Sequence, residues 1–129
     1  WEPSRQYDAI LLDAPCSATG TFWRHPEVLY RARPAIIAEN RELQRALLAR
    51  AMQWVRPGGA LIYSVCSLER EEGEAVADSS GLHSDPPKTG ELPDFVEPAP
   101  GGPVRILPGL LEDKGGLDGF FMARLVRGD

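Results

Sequence analysis

Two continuous apolar runs dominate the hydrophobic pattern of the chain. Ala9-Ile10-Leu11-Leu12, within Tyr7 to Asp13, and Ala60-Leu61-Ile62-Tyr63-Ser64-Val65-Cys66 lack the strict alternation of a half-exposed strand. Each suits a buried strand, and the first reads as a parallel strand buried on both faces. Between them, Pro34 stands where a first helical residue would, and Ile36, Leu43, Leu47, Ala51 and Trp54 follow at spacings that keep to one helical face. The pattern predicts one long amphipathic helix over about 35–55, stopped by Pro57-Gly58-Gly59.

Strand, long helix and strand in that order form a crossover unit, with both strands parallel in one sheet and a right-handed connection. The fold class is therefore α/β. Residues 14–33 read as a loop punctuated by Pro15, Gly20 and Pro26, with a short helical turn at Glu27 to Arg31. Glu69 to Ala77 reads as a short helix whose early glutamates complement the positive end of its dipole. From Asp78 to Pro103, six prolines, four glycines and three serines mark a loop, a linker or a disordered insertion. Val104 to Leu107 and Gly119 to Val126 read as two further strands.

The length of 129 residues leaves room for one domain, and 43% hydrophobic with 26% charged residues excludes a disordered or fibrous chain. No apolar run approaches the roughly 18 residues of a membrane span, and no signal core follows the amino terminus. A soluble, cytoplasmic protein is expected. Cys16 and Cys66 are too few for a disulfide scaffold and form no C-x-x-C pair, so they count as thiols and no metal site is expected. Residues 1–60 carry a net charge of +2 and residues 61–129 one of -7. Arg24, Arg31 and Arg33 hint at a polyanion partner, whereas the overall -5 argues against strong autonomous binding to nucleic acid. The chain opens at Trp1 without methionine and reaches a strand within six residues, which reads as a piece of a larger protein.

In an open α/β sheet, ligands gather beyond the carboxyl ends of the strands. Cys16 follows the first strand by three residues and Cys66 closes the second, so neighbouring strands would face both thiols into one crevice with Asp13 between them. Each cysteine also reads as a small buried hydrophobe, and Asp13 as a loop-capping carboxylate. His25 raises the alternative of a cysteine-histidine hydrolase, for which no local signature is present.

The words around these residues are Asp13-Ala14-Pro15-Cys16-Ser17-Ala18-Thr19-Gly20, Arg24-His25-Pro26, Tyr63-Ser64-Val65-Cys66-Ser67 and Asp118-Gly119-Phe120-Phe121. In order and spacing they resemble the Fmu/Sun family of RNA 5-methylcytosine methyltransferases, above all its bacterial members acting on small-subunit ribosomal RNA. The resemblance runs over residues 7–77 and resumes at 104–126. It implies a Rossmann-like sheet, S-adenosylmethionine as cofactor and RNA as partner. It further implies Cys66 as the nucleophile that attacks carbon 6 of cytosine, Cys16 as the second cysteine, associated with release of the methylated RNA, and Asp13 beside both cofactor and base. Val65 departs from the threonine usual before the nucleophile.

The resemblance also implies a glycine-rich cofactor loop after an earlier strand, which this chain lacks; Pro57-Gly58-Gly59 lies between helix and strand instead. The chain is expected to be the carboxyl half of a catalytic domain and inactive alone. A non-catalytic RNA-binding module on the same fold is the alternative.

Overall fold

The computed structural model describes residues 2–128. Strand β1 (Tyr7–Asp13) leads through helix α1 (Val28–Arg31) into helix α2 (Pro34–Trp54), which returns the chain to strand β2 (Val55–Val65), parallel to β1. Helix α3 (Glu74–Ser79) and strands β3 (His83–Ser84), β4 (Val104–Ile106) and β5 (Phe120–Val126) complete the order. β5 runs antiparallel to β2, and its other edge pairs with β3 at one end and β4 at the other. β2 is therefore interior and β1 is an edge strand.

One face of this sheet holds the core. Leu61, Tyr63 and Val65 of β2 and Phe121, Ala123 and Leu125 of β5 pack with Leu48, Ala51 and Met52 of α2 and with Val76 and Ala77 of α3. Tyr63 and Phe121 meet edge to face, ring centroids 6.3 Å apart. Full burial of each large side chain contributes about 1.5–3 kcal/mol, and Leu61, Tyr63 and Val65 are wholly inaccessible.

Several sequence expectations change here. β1 is not buried on both faces: Ile10 and Leu12 pack on the core, but Asp8, Ala9, Leu11 and Asp13 are exposed, with Leu11 at 69%. Strand side chains alternate between faces, and α2 covers only one face of β1. The face that α2 turns to the sheet is also rotated from the predicted one. Ile36 and Leu43 stand in solvent, while Gln44, Leu48, Ala51 and Met52 are buried. A pattern of apolar residues excludes Gln44, yet it is interior because its amide serves buried acceptors.

Helix α2 ends at Trp54, and Pro57-Gly58-Gly59 lies inside β2 rather than after the helix. There the parallel register jumps, Tyr7 pairing with Val55 but Ala9 with Ala60. Gly58 takes φ 72°, a conformation that costs any residue with a Cβ. Within 78–103, β3 pairs with β5, a strand that two polar residues do not announce.

Candidate active site

The segments that follow β1 and β2 leave the sheet at the same end. Asp13, the last residue of β1, lies in register with Ser64, whose hydroxyl donates to Asp13 Oδ1 over 3.2 Å. Beyond them Cys16 Sγ stands 3.5 Å from Cys66 Sγ, with both cysteines free and half-buried. The structure thus brings the two thiols together, with Asp13 at the adjacent strand end.

The hydrogen bond between the sulfurs separates their acidities. The bond from Cys16 lowers Cys66 to about 7, aided by backbone donation and opposed by burial and the negative charges of Asp13 and Asp118. The same bond, followed by burial, pushes the Cys16 thiol far up. Cys66 is therefore the sulfur that becomes a thiolate near neutrality, the form in which cysteine is a nucleophile. The short helix expected over Glu69 to Ala77 begins only at Glu74, as α3. A turn over 69–73 intervenes, with Gly73 N donating to Glu69 O.

Close backbone contacts fix the loop that carries Cys16. Gly20 N donates to Cys66 O over 2.9 Å, and Gly119 N to Gly20 O over 2.7 Å. A Cβ on Gly20 would lie 2.1 Å from Gly119 O and 2.8 Å from Cys66 O, so three segments meet only because residue 20 is glycine. Ala18, two residues before it, holds φ 57°, a left-handed conformation costing a non-glycine residue about 1–2 kcal/mol. On the far side Arg105 donates to Ser67 O over 2.8 Å, grips Glu74 with two further N–H groups and lies 5.1 Å over the Phe121 ring.

A cleft of about 650 Å³ beside this end is lined by Phe22, Trp23, Arg24, Leu68, Leu117 and Asp118. Trp23 is 71% exposed and stacks on Phe22, centroids 5.2 Å apart. Arg24, one of the three arginines that hinted at a polyanion partner, is engaged bidentately by Asp118, whose carboxyl it holds below the usual range. Arg31 and Arg33 are exposed. His25 Nδ1 faces Glu27 Oε1 at 3.4 Å, which ties it to its own loop.

Sequence reasoning passed over Glu72 and Gln44. Glu72 was read among the early glutamates of a short helix, complementing its dipole, but it is wholly buried and its carboxylate reaches both cysteine loops. A run of acids gives little local signal for this, since two of the three partner residues lie 28 and 55 residues away. Among the described residues no group of three or more His, Cys, Asp or Glu is placed to hold a metal ion. No helix of the structure is long and apolar enough to cross a membrane.

Comparison with known proteins follows the same words. The family model described as 16S rRNA methyltransferase RsmB/F matches residues 1–126. The chain is 44% identical over 119 residues to the ribosomal RNA small subunit methyltransferase B of Thermus thermophilus, covering 92% of this chain and 29% of that protein. It is 36% identical over 130 residues to its counterpart from Shewanella oneidensis, covering 98% and 28%. The chain thus spans less than a third of the length of these relatives. Among solved structures, NSun6 from Pyrococcus horikoshii with SFG superposes with TM-score 0.79 at 28% identity, over 98% of this chain and 32% of that one. A methyltransferase homolog protein from the same organism gives 0.68 at 31% identity, over 95% and 40%. The α/β sheet is accordingly of the Rossmann-like type of these methyltransferases.

Proposed function

The chain belongs to the RsmB/F family of 16S rRNA methyltransferases, and from that premise we propose that it carries the nucleophilic part of a catalytic domain that forms 5-methylcytosine in ribosomal RNA. The observation that carries this reading is the sulfur pair: two thiols 3.5 Å apart at neighbouring strand ends, one of them acidified.

Carbon 5 of cytosine is a poor nucleophile. Addition of the Cys66 thiolate to carbon 6 forms an S–C6 bond and turns the ring into an enamine, dividing one hard step into easier ones. Asp13 sits at the strand end where its carboxyl would hydrogen-bond the ring and stabilise charge that develops on addition. After methylation, loss of the carbon 5 proton to a base breaks the S–C6 bond and returns Cys66 as thiolate. Cys16 remains a thiol at neutral pH and donates to the departing sulfur, which favours release.

The family is S-adenosylmethionine-dependent, and the bound cofactor supplies an electrophilic methyl group. Of the residues present, Asp13 fits one edge of that site. Its Oδ1 is engaged by Ser64, and the exposed carboxylate retains acceptor capacity for an amine or hydroxyl. The loop after β1 is not glycine-rich, so most donors and acceptors for the cofactor must come from outside these residues, and the 129-residue chain alone is expected to be inactive. The stacked Phe22 and Trp23, with Arg31 and Arg33 nearby in sequence, suit the faces and phosphates of an RNA strand.

Denaturing gels of the cofactor, cytosine-containing RNA and the complete catalytic domain test the roles. Cys66→Ala is expected to give neither methyl transfer nor a covalent complex, and Cys16→Ala to accumulate the protein–RNA adduct. Turnover by Cys66→Ala would remove the nucleophile assignment.

A further inference from the structure

Glu72 is wholly buried, and among the described residues no cationic side chain forms an ion pair with it. A buried carboxylate in that position is costly unless hydrogen bonds replace its water. Here they do so in a specific pattern. Oε1 accepts from Ser17 N over 2.9 Å and from Gln44 Nε2 over 3.2 Å. Oε2 accepts from Ser17 Oγ and from Ser67 Oγ, both over 2.5 Å.

Ser17 directly follows Cys16, and Ser67 directly follows Cys66. One carboxylate therefore binds the neighbour of each thiol. Gln44 strengthens the arrangement by donating also to Pro15 O over 2.9 Å, so the backbone is held on both sides of Cys16. Turning its N–H groups to Pro15 and Glu72 leaves Gln44 Oε1 buried without a partner among the described residues. Such an orphan is costly, a penalty accepted where both acceptors need donors. The turn that bears Glu72 is itself anchored, because Tyr63 Oη donates to Glu72 O over 2.5 Å from β2.

We propose that Glu72 is a positioning residue that sets the spacing of the two thiols, its carboxylate locking the Cys16 loop to the Cys66 loop through Ser17 and Ser67. It concerns the same thiols as the proposed methyl transfer and deepens that reading. Its test measures thiol spacing and needs no RNA or cofactor, so failure of one idea is distinguishable from failure of the other.

The spacing is read from the equilibrium with glutathione. Oxidised glutathione and the two thiols give an intramolecular Cys16–Cys66 disulfide and two reduced glutathione molecules, and the constant for this exchange measures how well the sulfurs are held together. In the full chain, Glu72→Ala is expected to lower that constant about tenfold or more, since effective molarity depends steeply on held geometry. Glu72→Gln keeps an oxygen for Ser17 N and an amide for the serine hydroxyls, and is expected to restore most of it. Ser17→Ala combined with Ser67→Ala leaves the carboxylate in place and is expected to lower the constant likewise, which decides the matter if Glu72→Ala does not fold. A folded Glu72→Ala chain, or a folded double serine variant, with an unchanged constant would show Glu72 to be fold support only and overturn the proposal.

Discussion

Cys16 and Cys66 are fifty residues apart in sequence, yet their sulfurs are 3.5 Å apart and share a hydrogen bond that lowers the Cys66 thiol and raises that of Cys16. Cys66 is therefore acidified chiefly by another thiol. This has a direct consequence in pH. Cys66 is lowered, so its thiolate fraction grows as pH rises through about 7 and is lost below it. Alkylation of Cys66 by iodoacetamide, followed by peptide mass spectrometry, is expected to show a midpoint near that value. In Cys16→Ala the midpoint should move up toward that of an ordinary thiol. An unmoved midpoint would mean that the sulfur–sulfur bond is not the cause.

Gly20→Ala is expected to separate the loops at the strand ends. The added carbon would meet the backbone of Gly119 and Cys66, which cannot swing aside as a side chain would. Overpacking of this kind costs about 1–3 kcal/mol, read as a lower midpoint in urea unfolding. The hydrogen bonds from Gly20 N and Gly119 N would be strained together, so faster amide hydrogen exchange at both positions is the second readout.

Neighbouring positions on β1 and β2 should differ in their tolerance. Leu61→Ala opens the core where the side chain is fully enclosed, at about 2–5 kcal/mol. Leu11→Ser lies on the uncovered face, and its effect on the chain should stay within about 0.5 kcal/mol. Denaturation of the two variants side by side checks this, and a large loss for Leu11→Ser would mean that its face is covered in solution.

The crossover of β1, α2 and β2 was legible because its signals are local: two apolar runs, a proline at the first helical position and an apolar face at helical spacing. The meeting of Cys16 and Cys66 followed once the two strands were taken as neighbours. The inner face of α2 was not legible, because Gln44 is interior for its hydrogen bonds and not for its hydrophobicity. Glu72 was hidden for a related reason. A glutamate among glutamates reads as solvated, and only the fold reveals that Ser17, Ser67 and Gln44 converge on it. The glycine pair at 58 and 59 was read as a helix stop, since a register jump inside a strand depends on the partner strand.

The antiparallel pairing of β2 with β5 also bears on how the protein is made. At about 5–20 residues per second, a ribosome that has finished β2 needs roughly 3 to 12 seconds more to deliver β5. Throughout that interval β2 has β1 and α2 as partners on one side, while its other backbone edge awaits Ala60 to Val65's partners Phe121 to Val126. A nascent chain with an unpaired apolar strand is a template for wrong pairing, so this stage of synthesis is where aggregation competes with folding and where a holding chaperone would act.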